Sequence, residues 1–395
     1  MDTQGGNKMK SSKMNGLHRS VAFILIAILL ICVIAFAANG WQSNTNDDPD
    51  SGNVGDKTDE TDENTDGTND NNGNQTPDDP TNPNEPEEPD VPDEPTVEVP
   101  KYYNKFTGLE ITEQQLYATP TGFVLNPKMP LYGISSADIT LEFPTENGGT
   151  RLLTYFTNSS TLWKVGSIAP TRDFITATSN LLGGIVVGYG SDDIVEYSAT
   201  DTSRIELDLS KISGSYYVEN TRYIYTCKDM IDLAISRTPG LIKSPYKEAP
   251  YIFAELGTSV LGTTKATTVI LPFSETDETE FYYSESTGQY LYFKSGTRKV
   301  DMLNGKNVAY TNVFTLFADT TTYEKADGTE LIVDTMSGGS GYYFSNGYMT
   351  EIRWSVDEGG NLEFKTLSGE LLTVNRGNAY IGYYKAANAS KITIG

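Results

Sequence analysis

Asp138, Glu142 and Glu146 recur at every fourth position, and Arg151 and Arg172 follow close behind them. On an extended strand, residues four apart share a face, so Asp138 and Glu142 fall side by side. Two carboxyls pushed apart in pKa can work as acid and base on a glycosidic bond. Glu146-Asn147-Gly148-Gly149-Thr150 is a turn sequence able to fold back beside them. Arg151 and Arg172 offer a second chemistry, forked hydrogen bonds to the carboxylate or phosphate of a ligand. A third use is architectural: arginines and carboxylates also form internal networks that pin a turn to a sheet and perturb pKa values without function. Catalysis through Asp138, Glu142 or Glu146, ligand binding through Arg151 and Arg172, and architecture all stay open.

Few other chemistries are available. Ser244-Pro245-Tyr246-Lys247 fits the S-x-x-K pattern of penicillin-recognising enzymes, but no S-D-N or K-T-G element accompanies it. The match is set aside as chance. The single histidine, His18, precedes a long apolar run, so nothing after that run can form a His-based triad or a His-ligated metal site. Cys227 is the only cysteine beyond Cys32. It reads as a small buried residue rather than a nucleophile, and no internal disulfide can form. No metal and no cofactor are expected. Residues 100–395 carry 33 acids against 24 bases, which argues against nucleic acid as a partner.

The elements that hold the candidate residues fall into two predicted domains. Residues 101–255 read as an α/β (α+β) domain. Gly122–Asn126, Asp138–Glu142, Leu152–Phe156 and Gly184–Tyr189 are its strands, and Asp173–Leu182 a helix stopped by Gly183-Gly184. Thr226-Cys227-Lys228-Asp229 fits a capping box that opens a second helix to about Ser236. Residues 262–395 read as β-rich, with short strands from Thr267–Phe273 to Ala379–Lys385. Asn346-Gly347 predicts a two-residue hairpin. All 25 tyrosines follow residue 100. The pairs Tyr102-Tyr103, Tyr216-Tyr217, Tyr282-Tyr283, Tyr342-Tyr343 and Tyr383-Tyr384 should each turn one ring outward on a strand. Such rings could stack on sugars or anchor a protein, but tyrosine more often fills a half-buried pleated surface. Trp163 and Trp354 are expected in the core.

Residues 21–38, VAFILIAILLICVIAFAA, hold no charge and lie at the lower edge of the length that crosses a hydrocarbon layer as a helix. Lys8, Lys10, Lys13 and Arg19 precede them against the single acid Asp2, which keeps the amino end cytoplasmic. Residues 1–20 are therefore read as a cytoplasmic tail, 21–39 as a transmembrane signal anchor, and 40–100 as a disordered acidic linker. Ala35-Phe36-Ala37 is an alternative cleavage site that would release the anchor. Residues 42–99 contain nineteen acids, one base and no aromatic side chain, −18 of the chain's net −24. Such a stretch cannot offset its own ordering entropy. Extended, it reaches about 190 Å at roughly 3.3 Å per residue. The C-terminal part is thus expected outside a single-pass cell membrane.

Gly133-Ile-Ser-Ser-Ala-Asp138-Ile-Thr-Leu-Glu142, Glu146-Asn-Gly-Gly-Thr-Arg151 and Val165-Gly-Ser-Ile-Ala-Pro-Thr-Arg172 resemble the opening domain of YerB-like lipoproteins. Gly339-Ser-Gly341-Tyr-Tyr-Phe344-Ser-Asn-Gly347, Ile352-Arg-Trp354 and Thr373-Val-Asn375-Arg-Gly-Asn-Ala-Tyr380 resemble the carboxy-terminal domain of the same family. The resemblance implies a bacterial cell-envelope protein without an established activity, with peptidoglycan or wall-synthesis enzymes as partners. Two departures stand out: Ala169 replaces a second arginine, and Thr221-Arg222-Tyr223 replaces a Pro-His-Asn run. No lipidation cysteine is present, so the anchor would substitute for the lipid. The sequence reading is a non-catalytic binding or scaffold module, with a carboxylate-dependent glycan-cleaving or transferring enzyme as the alternative.

Overall fold

Alternation along residues 139–144 governs the architecture. Ile139, Leu141 and Phe143 point to one side, Thr140 and Glu142 to the other, and all are buried. A strand without an exposed face must lie in a sheet covered on both sides. The computed structural model describes residues 100–395 except 159, 161, 191–205, 242–246 and 326–327. The predicted tail, anchor and all but the last residue of the linker lie outside the described residues. Among the described residues no helix is long and apolar enough to cross a membrane.

The first segment supplies β1 (Thr121–Leu125), β2 (Ile139–Pro144), β3 (Thr150–Phe156), helix α1 (Asp173–Leu182), β4 (Ile185–Gly188), β5 (Glu206–Asp208) and helix α2 (Lys228–Ser236). The second supplies β6 (Thr268–Ser274), β7 (Asp277–Ser284), β8 (Gln289–Lys294) and β9 (Asn312–Ala318). It continues with β10 (Thr320–Lys325), β11 (Gly328–Val333), β12 (Gly339–Ser345), β13 (Tyr348–Val356) and β14 (Ala379–Lys385). Shorter strands complete the sheets.

The boundary near residue 260 is not a boundary in the main sheet. Its eleven strands include β13, β12, β9, β14, β2, β3, β1, β4 and β5 in that spatial order. The seam is the parallel pairing of β14 with β2, Ala379 opposite Ile139 and Gly382 opposite Glu142. Antiparallel β6, β7 and β8 form the heart of a second sheet of six strands. Its Val269, Leu271, Phe281 and Tyr292 pack with Leu152, Val313 and Tyr380 of the main sheet. On the other face Phe174, Ile175, Leu181 and Leu182 of α1 join Leu141, Phe143, Ile381 and Tyr383. Helices are few, so the β-rich character predicted for the second segment extends to the first.

α1 and the Asn346-Gly347 hairpin occupy their predicted places, the latter with φ of 53° and 76°. After α1, Gly184 has φ of 91°, and a Cβ there would lie 2.1 Å from the Pro120 carbonyl oxygen. Only glycine fits both demands. The predicted capping box does not form. Cys227 is the N-cap of α2 without a side-chain cap bond, because the Thr226 hydroxyl donates to the Ser215 carbonyl at 2.8 Å.

Candidate functional site

The three carboxylates of the four-residue spacing occupy three different environments. Asp138 precedes β2 at the amino end of the strand. Its oxygens accept from Asn104 Nδ2 at 2.9 Å and from the Thr157 amide at 2.6 Å. Burial raises its carboxyl above the ordinary range, against the lowering effect of the Thr157 and Asn104 bonds. Four residues of strand put about 13 Å between the Cα atoms of Asp138 and Glu142, at roughly 3.3 Å per residue.

Glu142 lies in mid-strand with no exposed surface. One oxygen accepts from Lys294 Nζ at 2.7 Å and the Thr150 hydroxyl at 2.5 Å. The other accepts from the Tyr380 hydroxyl at 2.7 Å and the Thr279 hydroxyl at 2.8 Å. Lys294 at the end of β8 also pairs with Asp277, and Asp277 with Lys128 at 2.8 Å. The result is an alternately charged chain, buried at Glu142, Lys294 and Asp277 and ending at exposed Lys128, that ties β2 to the second sheet. Every Glu142 oxygen is spent within the fold.

Glu146 sits past the carboxyl end of β2, where the arginines also gather. Arg172 is the N-cap residue of α1, and its fork reaches Glu146 with Nη2 at 2.5 Å and Nε at 3.4 Å. Arg172 is 6% exposed. Burial pushes the Glu146 carboxyl up, but the Arg172 bonds, with help from Arg151, hold it below the ordinary range. Arg151, near the start of β3, donates Nη1 to the Thr150 carbonyl at 3.1 Å. The structure thus brings Glu146, Arg151 and Arg172 to one rim and leaves Asp138 at the opposite end of β2.

This rim is the carboxyl edge of β9, β14, β2, β1, β4 and β5, which all run in one direction. Such edges are where open sheets with parallel strands hold ligands. A cleft of about 180 Å³ opens there. Its polar wall is Glu146, Lys385 and Asn388 with Thr322 and Thr329, and its apolar wall is Phe273 and Leu331 with Tyr384. Tyr384 is fixed by donating to the Pro272 carbonyl at 2.9 Å. Lys294, Asp277, Lys385 and Asn388 carry no local signature in the sequence. The strands themselves are legible, β8 nearly to its end and β14 in full to Lys385, but not the roles of these side chains.

The remaining singled-out residues divide differently. Ser244 lies outside the described residues, and Lys247 donates to the Gly360 carbonyl at 2.9 Å. Cys227 is free and half-buried rather than buried. Trp354 is core, but Trp163 is 83% exposed, against expectation. No tyrosine pair presents a fully exposed ring, and Tyr383 and Tyr384 are both buried, because both faces of β14 are covered. The polar residues of Thr373–Tyr380 are a staple. Asn375 binds both backbone groups of Val260, Arg376 Nε donates to the Ala254 carbonyl, and Asn378 Nδ2 donates to the Ala309 carbonyl. Ala169 packs in the core, and exposed Arg222 donates to its neighbour Tyr223.

Two family models match the chain. Both are described as a protein of unknown function (DUF3048), the N-terminal domain over residues 106–231 and the C-terminal domain over residues 269–381. The crystal structure of the YerB protein from Bacillus subtilis is similar with a TM-score of 0.64 and 23% identity, covering 75% of this chain and 100% of that one. That likeness is one of fold. Comparison with curated proteins gives no match.

Proposed function

The chain belongs to the YerB-like DUF3048 family, and from that premise we propose a non-catalytic binding or scaffold module of the cell envelope. Peptidoglycan or the proteins that build it are the partners of this reading. The observation that carries it is the state of Glu142: wholly buried, its charge met by Lys294 and both oxygens occupied. A glycosidase pair needs two carboxyls facing a shared open space about 5–9.5 Å across. Asp138 lies about 13 Å along the strand from Glu142, and Glu146 is gripped by Arg172. What faces the cleft is suited to holding a ligand. The apolar run at 21–38 and the acidic stretch after it support display of this module outside a membrane, on a long tether.

The test is sedimentation of the full chain with insoluble peptidoglycan while released muropeptides are monitored. Co-sedimentation without release of muropeptides, in the native chain and in Glu146→Gln alike, is the expected result, whether or not Glu146→Gln alters the amount bound. Release that disappears in Glu146→Gln would overturn the binding reading in favour of catalysis. Neither sedimentation nor release would exclude the wall polymer and leave a protein partner.

A further inference from the structure

Resting on the binding-module reading, we propose that the cleft at the carboxyl edge receives the carboxylate end of a small organic acid or peptide, with Lys385 as its anchor. Charge is the first argument. Glu146 is matched by Arg172, with Arg151 at the same rim. Among the described residues Lys385 has no ion-pair partner, so its ammonium is surplus. A positive surplus on a domain with 33 acids and 24 bases is a local reversal, and it selects for an anion.

Donors are the second argument. Among the described residues, the side chains of Asn388 and Thr322 make no hydrogen bond, and both line the cleft with Lys385. An ammonium, an amide and a hydroxyl together can satisfy the several lone pairs of one carboxylate. Shape is the third. Phe273 and Leu331 form an apolar wall, which a bare inorganic ion would leave unused and an organic body would cover. The anchor is also held in place: Lys385 ends β14 opposite Ala318 of β9, and neighbouring Tyr384 is buried and bonded to Pro272.

Calorimetric titration of the full chain with N-acetylalanine, N-acetylalaninamide and inorganic phosphate tests this. The acid should bind, with the uncharged amide and phosphate each at least about tenfold weaker, the scale of a hydrogen bond to a charged group. Lys385→Gln should weaken the acid by at least about tenfold, and Lys385→Arg should restore most of it. Equal binding of acid and amide, or no change in Lys385→Gln, would overturn the proposal. Phosphate binding as tightly as the acid would reduce the cleft to a bare-anion site and also overturn it. Peptidoglycan sedimentation is read separately. If it persists while the titration fails, the carboxylate site is wrong and the module reading stands; if Lys385→Gln abolishes both, both are supported.

Discussion

Glu142 and Glu146 are the same side chain, four residues apart on one stretch of chain, and they have opposite fates. Glu142 is sealed between two sheets and met by a lysine, a tyrosine and two threonines. Glu146 stands at the rim, gripped by one arginine and open to a cleft. The difference teaches that depth in the sheet, and not residue type or spacing, decides whether a carboxylate is structural or available. A fully buried ion pair tolerates no loss of one partner, whereas the Arg172–Glu146 pair, 7% and 14% exposed, keeps a narrow opening to solvent through the cleft.

The sharpest way to break this contrast is Lys294→Met, which strands the Glu142 charge. A loss of about 3–5 kcal/mol in urea-unfolding free energy is expected, with Glu142→Gln added in the same chain recovering part of it. A loss below about 1 kcal/mol would mean that the cluster is hydrated. Asp301, also without exposed surface, accepts from the Gly133, Ser135 and Leu303 amides and the Ser135 hydroxyl. Asp301→Ala should cost about 2–3 kcal/mol by orphaning those donors, again read by urea.

Arg172→Ala should cost somewhat less, about 1.5–2 kcal/mol, the low end for hydrogen bonds to a charged group, because Glu146 at 14% exposure is less sealed than Asp301. It also has a pH signature. Glu146 is held below its ordinary value of 4.5, so its stabilising contribution is present above that pH and lost as pH falls through the lower folded value. Thermal melts of Arg172→Ala between pH 3 and 6, about that ordinary value, should lack this acid-side loss. Asp138 has the opposite sign. Its carboxyl is raised by burial, so its contribution is lost as pH climbs from 3.8 through the raised value. The smallest effect is at the rim itself: Lys385→Gln should change stability by less than about 0.5 kcal/mol, which makes it a clean probe of binding.

Where local chemistry dictates structure, the sequence was readable. The paired glycines after α1, the Asn346-Gly347 hairpin and the full extent of β14 follow from backbone preferences within a few residues. The strand that carries Asp138 and Glu142 was also legible, but the partners of Glu142 were not. Lys294 lies 152 residues away and Tyr380 lies 238, and no periodicity announces such a meeting. The cleft was missed for the same reason, since its walls come from four separate stretches of chain. Thr226 failed as a cap because a carbonyl eleven residues back competed for its hydroxyl. Trp163 failed because a lone tryptophan gives no sign of which face it occupies.

The parallel seam between β2 and β14 sets a timetable. β2 is synthesised long before its neighbour: at roughly 5–20 residues per second, the 238 positions from Glu142 to Tyr380 take about 12–50 s. Until then one edge of β2 has no strand to pair with, in a stretch otherwise rich in Ile139, Leu141 and Phe143. An unpaired apolar edge is an invitation to aggregate, and an inward-pointing charge is a known deterrent. Glu142 places one such inward-pointing charge in the middle of this strand. In the folded chain the same carboxylate is met by Lys294 and Tyr380.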